Sequence, residues 1–314
     1  MTVDRVTNKP TSPLRYPGGK GKITRFIDHL LDINSLHGTY IEPFAGGAGI
    51  ATNLLLANKV DSIIINDKDD GVYYFWNTLV TNPSYLIRAI KKVPFDFYTG
   101  LHTDFSSEQA HIYWHRVNAR YKSNRYRNMQ DKAVDFFLLN RMNVSGIIDG
   151  GPIGGINQVN RYNITSRFNK KTLISRIEDL ADVKSRIHVE NMEASFFFTK
   201  LSEGKLCNLD ECFVFADPPY YEQGKNLYTT FASDRIHELV AEQLLSHPQW
   251  KWILTYDVAQ EISELYKNQD IQTFNYNIAY SANKRGQYDE FMFADTRLKI
   301  ESFDNVELSP IALT

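Results

Sequence analysis

Asp217-Pro218-Pro219-Tyr220 follows the apolar run Phe213-Val214-Phe215-Ala216. A strand that ends this way brings a carboxylate, backbone carbonyls and an aromatic face to one point. The two prolines remove two N–H donors and fix φ near about −65°, so the turn is stiff and lined with acceptors. Such a turn suits a planar substrate that carries an amino group. Asp217 and the Pro218 carbonyl can accept its N–H bonds, and Tyr220 can stack on its ring. By itself the tetrapeptide is also consistent with a strand followed by a plain Pro-Pro turn.

A second cluster lies upstream. Thr39-Tyr40-Ile41-Glu42 reads as a short strand leading into Pro43-Phe44-Ala45-Gly46-Gly47-Ala48-Gly49. A glycine turn after a first strand is where a nucleotide-type ligand binds. The spacing of Gly46, Gly47 and Gly49 does not fit G-x-G-x-x-G, which argues against NAD. The next strand ends at Asn66-Asp67, where a carboxylate can take both ribose hydroxyls of an adenosyl group, although Asp67 could equally cap the following helix. Earlier still, Leu14-Arg15-Tyr16-Pro17-Gly18-Gly19-Lys20 forms a tight loop ahead of an amphipathic helix containing Ile23, Phe26, Ile27, Leu30 and Leu31.

The elements that must position these residues alternate along the chain. Strands are expected at residues 39–42, 62–65, 187–190, 213–216, 252–255, 271–276 and 290–293, with helices at 50–58, 234–246 and 258–267. Seven strands joined through helices predict a mostly parallel α/β sheet. Residues 83–186 break the alternation, with helical stretches at 108–121 and 132–139 and then a glycine-rich segment at 145–155. This region is expected to be a second domain, inserted into a sheet domain made of residues 1–82 and 187–314.

The 314-residue chain is 43% hydrophobic and carries a net charge of −2, unevenly spread. Residues 120–176 hold eleven Lys/Arg against three acids, a balance of +8 that leaves −10 for the remainder. A basic block interleaved with Tyr121, Tyr126, Tyr162 and Phe168, and with amides at Asn140, Asn143, Asn157, Gln158, Asn160 and Asn163, has the composition of a nucleic-acid-binding segment. No apolar run approaches the roughly 18 residues of a membrane span, and Met1-Thr2-Val3-Asp4-Arg5 has no apolar signal core. Two cysteines, Cys207 and Cys212, are too few for a disulfide framework or a zinc site. The expected compartment is the cytoplasm. His111 and His115, one helical turn apart, read as helix-face histidines, and Phe196-Phe197-Phe198 reads as core.

Taken together, Tyr16-Pro17-Gly18-Gly19-Lys20, Glu42-Pro43-Phe44-Ala45-Gly46, Asn66-Asp67, Leu139-Asn140-Arg141, Arg167-Phe168-Asn169 and Asp217-Pro218-Pro219-Tyr220 resemble the Dam-type DNA adenine-N6 methyltransferases. The resemblance runs from about Leu14 to Ala294 in matching order. It implies a Rossmann-like, seven-stranded methyltransferase sheet with an inserted, mainly helical DNA-recognition domain. It implies that Tyr16, Lys20, Phe44, Gly46, Asp67 and Asp217 bind S-adenosylmethionine, and that Asp217, Pro218 and Tyr220 serve methyl transfer to a flipped adenine. Double-stranded DNA would be met by Asn140, Arg141, Arg161, Arg167, Asn169 and Lys170. The setting it suggests is a restriction–modification system or mobile element, with any endonuclease acting separately and the methyltransferase a monomer or weak dimer.

The GATC-reading members carry an Asn-Gly-Leu-x-Arg-Tyr-Asn type segment soon after the Asn-Arg pair. Here Asn140-Arg141 is followed by Met142-Asn143-Val144-Ser145-Gly146, and Arg161-Tyr162-Asn163 comes only after the glycine-rich stretch. This segment departs from the GATC-reading pattern, so the resemblance does not carry that target sequence over. Two other activities use related equipment: methyl transfer to cytosine N4, RNA or a protein amide, and DNA binding without catalysis. Asp rather than Ser or Asn ahead of Pro-Pro-Tyr points to adenine.

Overall fold

A computed structural model describes residues 6, 9–16, 18–97, 105–160, 162–221, 234–247, 249–278 and 290–313. The chain divides into two compact units. The first comprises Met1–Pro10, Lys20–Lys68 and Arg186–Thr314, and the second Thr11–Gly19 and Asp69–Ser185.

The first unit opens with α1 (Thr24–Ile33), whose Phe26, Ile27, Leu30 and Leu31 form one buried face. Then come β1 (Thr39–Glu42), α2 (Gly49–Leu56) and β2 (Ser62–Asn66). The chain enters the second unit through α3 (Asp70–Thr81), followed by α4 (Pro83–Lys92), α5 (Ser107–Ser123), α6 (Met129–Met142) and α7 (Lys170–Asp182). It returns through β3 (Ile187–Glu190), α8 (Ala194–Ser202), β4 (Cys212–Ala216), α9 (Asp234–Ser246), β5 (Lys251–Asp257), α10 (Gln260–Tyr266), β6 (Gln272–Ile278), β7 (Glu290–Ala294) and β8 (Val306–Pro310).

The strands form one sheet in the order β3-β2-β1-β4-β5-β7-β6-β8. From β3 to β5 every pairing is parallel, whereas β7 runs antiparallel to β5 and to β6. β8 is an eighth strand, beyond the seven expected, and pairs antiparallel with β6. Its sequence, Val306-Glu307-Leu308-Ser309-Pro310, is half polar and ends in proline, as suits an edge strand but not a hydrophobic pattern. The central strands carry the apolar runs of parallel strands covered on both faces, and Cys212–Ala216 is buried throughout. On one face Phe197, Phe198, Leu201, Val240, Leu244 and Ile262 form a continuous core with Val214, Trp252 and Leu254. Phe196 departs from the expected core run: it is 55% exposed, with the Lys200 ammonium 4.9 Å from its ring centroid. Helical geometry turns only two of the three phenylalanines inward.

The second unit is helical, as expected, but begins at Asp69 rather than residue 83, because α3 packs along α6. At its centre the Asp135 carboxylate is buried and takes both Nε and Nη2 of Arg120, and the Tyr126 hydroxyl donates to it at 2.9 Å. Thr11–Gly19 is the other part of this unit. Asn140 Oδ1 accepts from the Arg15 N–H at 2.8 Å, and its Nδ2 donates to the carbonyls of Arg15 (2.6 Å) and Gly146 (3.0 Å). Gly146 has φ +83, and a Cβ there would lie 2.6 Å from the Arg15 carbonyl oxygen. Only glycine allows that approach.

Candidate active site

In the strand order, β1 has β2 on one side and β4 on the other, so the chain's direction of winding reverses between β1 and β4. Ligands of open α/β sheets bind outside the carboxyl ends of the strands at such a switch point. There the first unit places Glu42, which ends β1, and Asp217, which follows β4 directly.

The glycine turn after β1 is tied to the end of β2. The Ala45 N–H donates to the Asn66 carbonyl at 2.9 Å, and the Gly46 N–H donates to Asp67 Oδ2 at 2.8 Å. Gly46 sits at φ +47, a conformation glycine adopts without steric cost. Asn66 donates from Nδ2 to the Pro43 carbonyl at 2.9 Å, which fixes Phe44 and Ala45 between strand end and helix start. The cap of α3 falls to Asp69, whose side chain accepts from the Val72 N–H at 3.0 Å. Asp67 therefore serves the glycine turn instead of a helix.

Asp217 is gripped from β5. Thr255 Oγ1 donates to Asp217 Oδ1 at 2.6 Å, and two residues on, Asp257 Oδ1 accepts the Tyr221 N–H at 2.9 Å. Residues i and i+2 of a strand share a face, so β5 holds both ends of the Asp217–Tyr221 turn. Tyr256, on the opposite face, meets His237 Nδ1 at 2.8 Å, and the Tyr221 ring lies edge-on to that imidazole at 5.4 Å. Lys20 completes the cluster. Its Nζ lies 2.7 Å from Glu290 Oε2 and 3.6 Å from Asp217 Oδ1, donates to the Tyr220 hydroxyl, and stands 4.6 Å from the Tyr220 ring centroid. The Tyr276 hydroxyl donates to the same Glu290 oxygen. In the sheet, Glu290 is the register partner of both Asp257 and Tyr276.

Glu42, Asp217, Asp257 and Glu290 thus stand at the ends of four neighbouring strands, with Lys20 buried among them. Burial pushes the Glu42 carboxyl up to about 8; the Ala51 N–H, 3.1 Å from Oε1, pulls it back, and Asp217 pushes it further. Burial also raises Asp217, against the opposing pull of Lys20 and Thr255. For Lys20, burial favours the neutral amine, but Asp217 and Glu290 outweigh it and hold the ammonium above its ordinary value. This acidic, low-dielectric end of the sheet attracts cations and amines.

Sequence reasoning located Lys20, Phe44, Gly46, Asp67, Asp217, Pro218 and Tyr220, and the first unit gathers all seven around the ends of β1, β2 and β4. It missed Thr255, Asp257, Tyr276 and Glu290. Glu290 was legible only as the first residue of a strand, because its partners are set by antiparallel pairing with β5 and β6. Tyr16 belongs to the second unit, where its carbonyl accepts from the Gly19 N–H at 3.2 Å.

The residues expected at DNA all lie in the second unit. Arg161 is outside the described residues. Asn140 and Arg141 are turned inward. Arg141 donates from Nε to the Arg167 carbonyl at 2.9 Å and from Nη1 to the Pro13 carbonyl at 3.4 Å. Asn169 caps α7 through the Thr172 N–H at 3.0 Å, and Lys170 Nζ donates to the Val93 carbonyl at 2.5 Å. Arg167 is exposed. Of the other amides expected to read bases, Asn143 and Gln158 are buried and bond to main-chain groups. Gln158 Nε2 donates to the carbonyls of Ile153 (2.8 Å) and Gly155 (2.7 Å), and its Oε1 accepts from the Ile164 N–H at 3.0 Å. A folded segment without a strand ladder needs side chains to satisfy its buried backbone groups, a demand invisible in composition. Burial, then Arg15, Arg176 and Arg167, lower the Arg141 guanidinium to about 9.

An open, largely parallel sheet whose switch point gathers a glycine turn and a ring of carboxylates defines an α/β protein of the nucleotide-type ligand-binding class. Comparison with protein families sharpens that class. The model of the D12 class N6 adenine-specific DNA methyltransferases matches residues 16–295, and the chain belongs to that family of enzymes. A search of curated protein sequences gave no match. Among solved structures, two of the rRNA methyltransferase aviRa from Streptomyces viridochromogenes, at 2.4 Å and 1.5 Å, align over 89% of this chain and 86% of theirs. Their identities are 11% and 12%, each with a TM-score of 0.36. The fold assignment rests on the strand order itself.

Proposed function

We propose that this protein moves a methyl group from S-adenosylmethionine to N6 of an adenine turned out of double-stranded DNA, with Asp217, Pro218 and Tyr220 at the reacting amine. The observation that carries this reading is the Asp217 carboxylate, fixed by Thr255 at the switch point next to an aromatic ring and a proline-stiffened turn. The residues suit the methyl donor. Carboxylates favour its cationic amino acid part, Gly46 lets the backbone come close, and Asp67 sits at the end of β2 where ribose hydroxyls are bound. Lys20, Phe44, Gly46, Asp67 and Asp217 are assigned to it. S-adenosylmethionine, when bound, supplies an electrophilic methyl group.

The exocyclic N6 lone pair of adenine is delocalised into the ring, so the nitrogen is a poor nucleophile. Hydrogen bonds accepted by Asp217 and the Pro218 carbonyl draw N6 towards tetrahedral geometry and stabilise the positive charge that develops there. Tyr220 stacks on the extruded base, offsetting a flipping cost of roughly a few kcal/mol. Neither Cys207 nor Cys212 stands in the Pro-Cys context of a cytosine-C5 nucleophile, so no covalent enzyme intermediate is invoked.

Arg161, Arg167, Asn169 and Lys170 are assigned to the DNA, and Asn140 and Arg141 to supporting the segments that carry them. The setting is a restriction–modification system or mobile element, with a monomeric or weakly dimeric enzyme in the cytoplasm and any endonuclease separate. Among the described residues no helix is long and apolar enough to cross a membrane.

Incubation with methyl-labelled S-adenosylmethionine and DNA, followed by digestion to nucleosides, tests the chemistry. N6-methyldeoxyadenosine is expected; label in N4-methylcytosine, RNA or protein overturns it. Asp217→Ala is expected to abolish transfer, a loss of at least about a hundredfold, while DNA binding in a gel-shift assay is largely retained.

A further inference from the structure

Lys20 stands where two carboxylates compete for one ammonium. Its side chain is 6% exposed, those of Asp217 and Glu290 21% and 17%, so Lys20 has little water to retreat into. It sits closer to Glu290 Oε2, at 2.7 Å, than to Asp217 Oδ1, at 3.6 Å. Glu290 is held in turn: the Tyr276 hydroxyl donates to that same oxygen, and Tyr276 and Glu290 are paired residues on β6 and β7. Asp217 is meanwhile needed as an acceptor for an incoming amino group. An ammonium in full contact with it would occupy the substrate amine's place and neutralise its charge.

We propose that Glu290 is a positioning residue that holds the Lys20 ammonium off Asp217, so that the Asp217 carboxylate stays open to the amino group of the substrate. The inference rests on the reading of Asp217 as the acceptor for N6. It gives Tyr276 a part as well, since its hydroxyl anchors the Glu290 oxygen that draws Lys20 away. The raised affinity of Lys20 for its proton, owed to both carboxylates against the effect of burial, keeps the competition between charged groups.

The test compares wild type, Glu290→Gln and Glu290→Asp in single-turnover methylation of DNA adenine, with crystal structures of the variants. Gln keeps the shape and removes the charge. The expected results are a fall of about ten- to hundredfold in single-turnover rate and a Lys20–Asp217 separation shortened from 3.6 Å to direct hydrogen-bond contact. Glu290→Asp, which keeps the charge, is expected to recover most of the rate. A Glu290→Gln rate equal to wild type, an unchanged Lys20–Asp217 separation, or equal losses in the Gln and Asp variants overturns the inference. If Glu290→Gln does not fold, Tyr276→Phe carries the test. It is expected to lower the rate about three- to tenfold and draw Lys20 towards Asp217, and an unaltered rate overturns the proposal. A wild type that leaves adenine unmethylated overturns the function reading, whereas an active wild type with an indifferent Glu290 overturns this inference alone.

Discussion

Glu42 shows how one buried carboxyl sets a stability profile. Its pKa rises from 4.5 in the unfolded chain to about 8 in the fold. The native state therefore binds more protons than the unfolded state between these values. The Glu42 contribution to stability is fully present below pH 4.5, falls as pH rises through the window at up to about 1.4 kcal/mol per pH unit, and is lost above pH 8. Glu42→Gln removes that dependence. Urea melts from pH 5 to 8.5 are expected to show the variant gaining on wild type as pH rises, and parallel curves would refute the assignment. At this scale the sequence was partly legible. Asp217 announced itself because proline, proline and tyrosine followed it, and Asp67 because its distance from the glycine turn matched a ribose site. Glu290 and Thr255 had no such neighbours. Their roles come from pairings between strands far apart in sequence, and strand register is not encoded in any local run of residues.

At the scale of elements, the period-2 and period-3.6 patterns identified the central strands and most helices, since these bury whole faces. β8 escaped because an edge strand needs little apolar surface. The beginning of the second unit was misplaced by one helix, because α3 has the same amphipathic spacing whether it covers a sheet or packs on α6. The glycine-rich segment at 145–155 was legible only as a break in the strand–helix alternation, whereas Asn140, Asn143 and Gln158 brace it from within. A measurable consequence follows from Gly146. Its φ of +83 and the 2.6 Å approach of a Cβ to the Arg15 carbonyl make Gly146→Ala costly twice over, in backbone strain and in displacement of residues 11–19. We expect a loss of about 2–4 kcal/mol in urea unfolding, together with faster proteolysis near Arg15. A loss below about 0.5 kcal/mol would show that the segment adapts freely.

For the whole molecule, a net charge of −2 conceals an opposition between +8 in residues 120–176 and −10 elsewhere. The acidic part includes the carboxylates that favour a cationic cofactor, and the basic part lies in the unit assigned to DNA. DNA affinity is therefore expected to fall steeply with salt in spite of the acidic total, since binding follows local phosphate neutralisation rather than net charge. Titrations from 50 to 300 mM salt with Arg167→Ala should lower the log–log slope by about 1, and weaken all sequences alike if Arg167 meets phosphate. A change confined to one sequence would place it at a base edge instead.

On our proposal that the second unit meets the DNA target, the division of the chain bears on how specificity could be exchanged. The second unit is not one continuous insertion: Thr11–Gly19 belongs to it as well as Asp69–Ser185, and Asn140 and Arg176 bond to that short segment. Recombination that transplants only the long segment would part Asn140 from Arg15 and leave buried polar groups seeking partners. A graft that folds must carry both stretches from one parent. Lys20 follows Gly19 directly, so the crossover falls within one peptide bond of the Asp217–Glu290 network. On that proposal, a new target specificity would have to be inherited as a matched pair of fragments, with little freedom for either to drift alone.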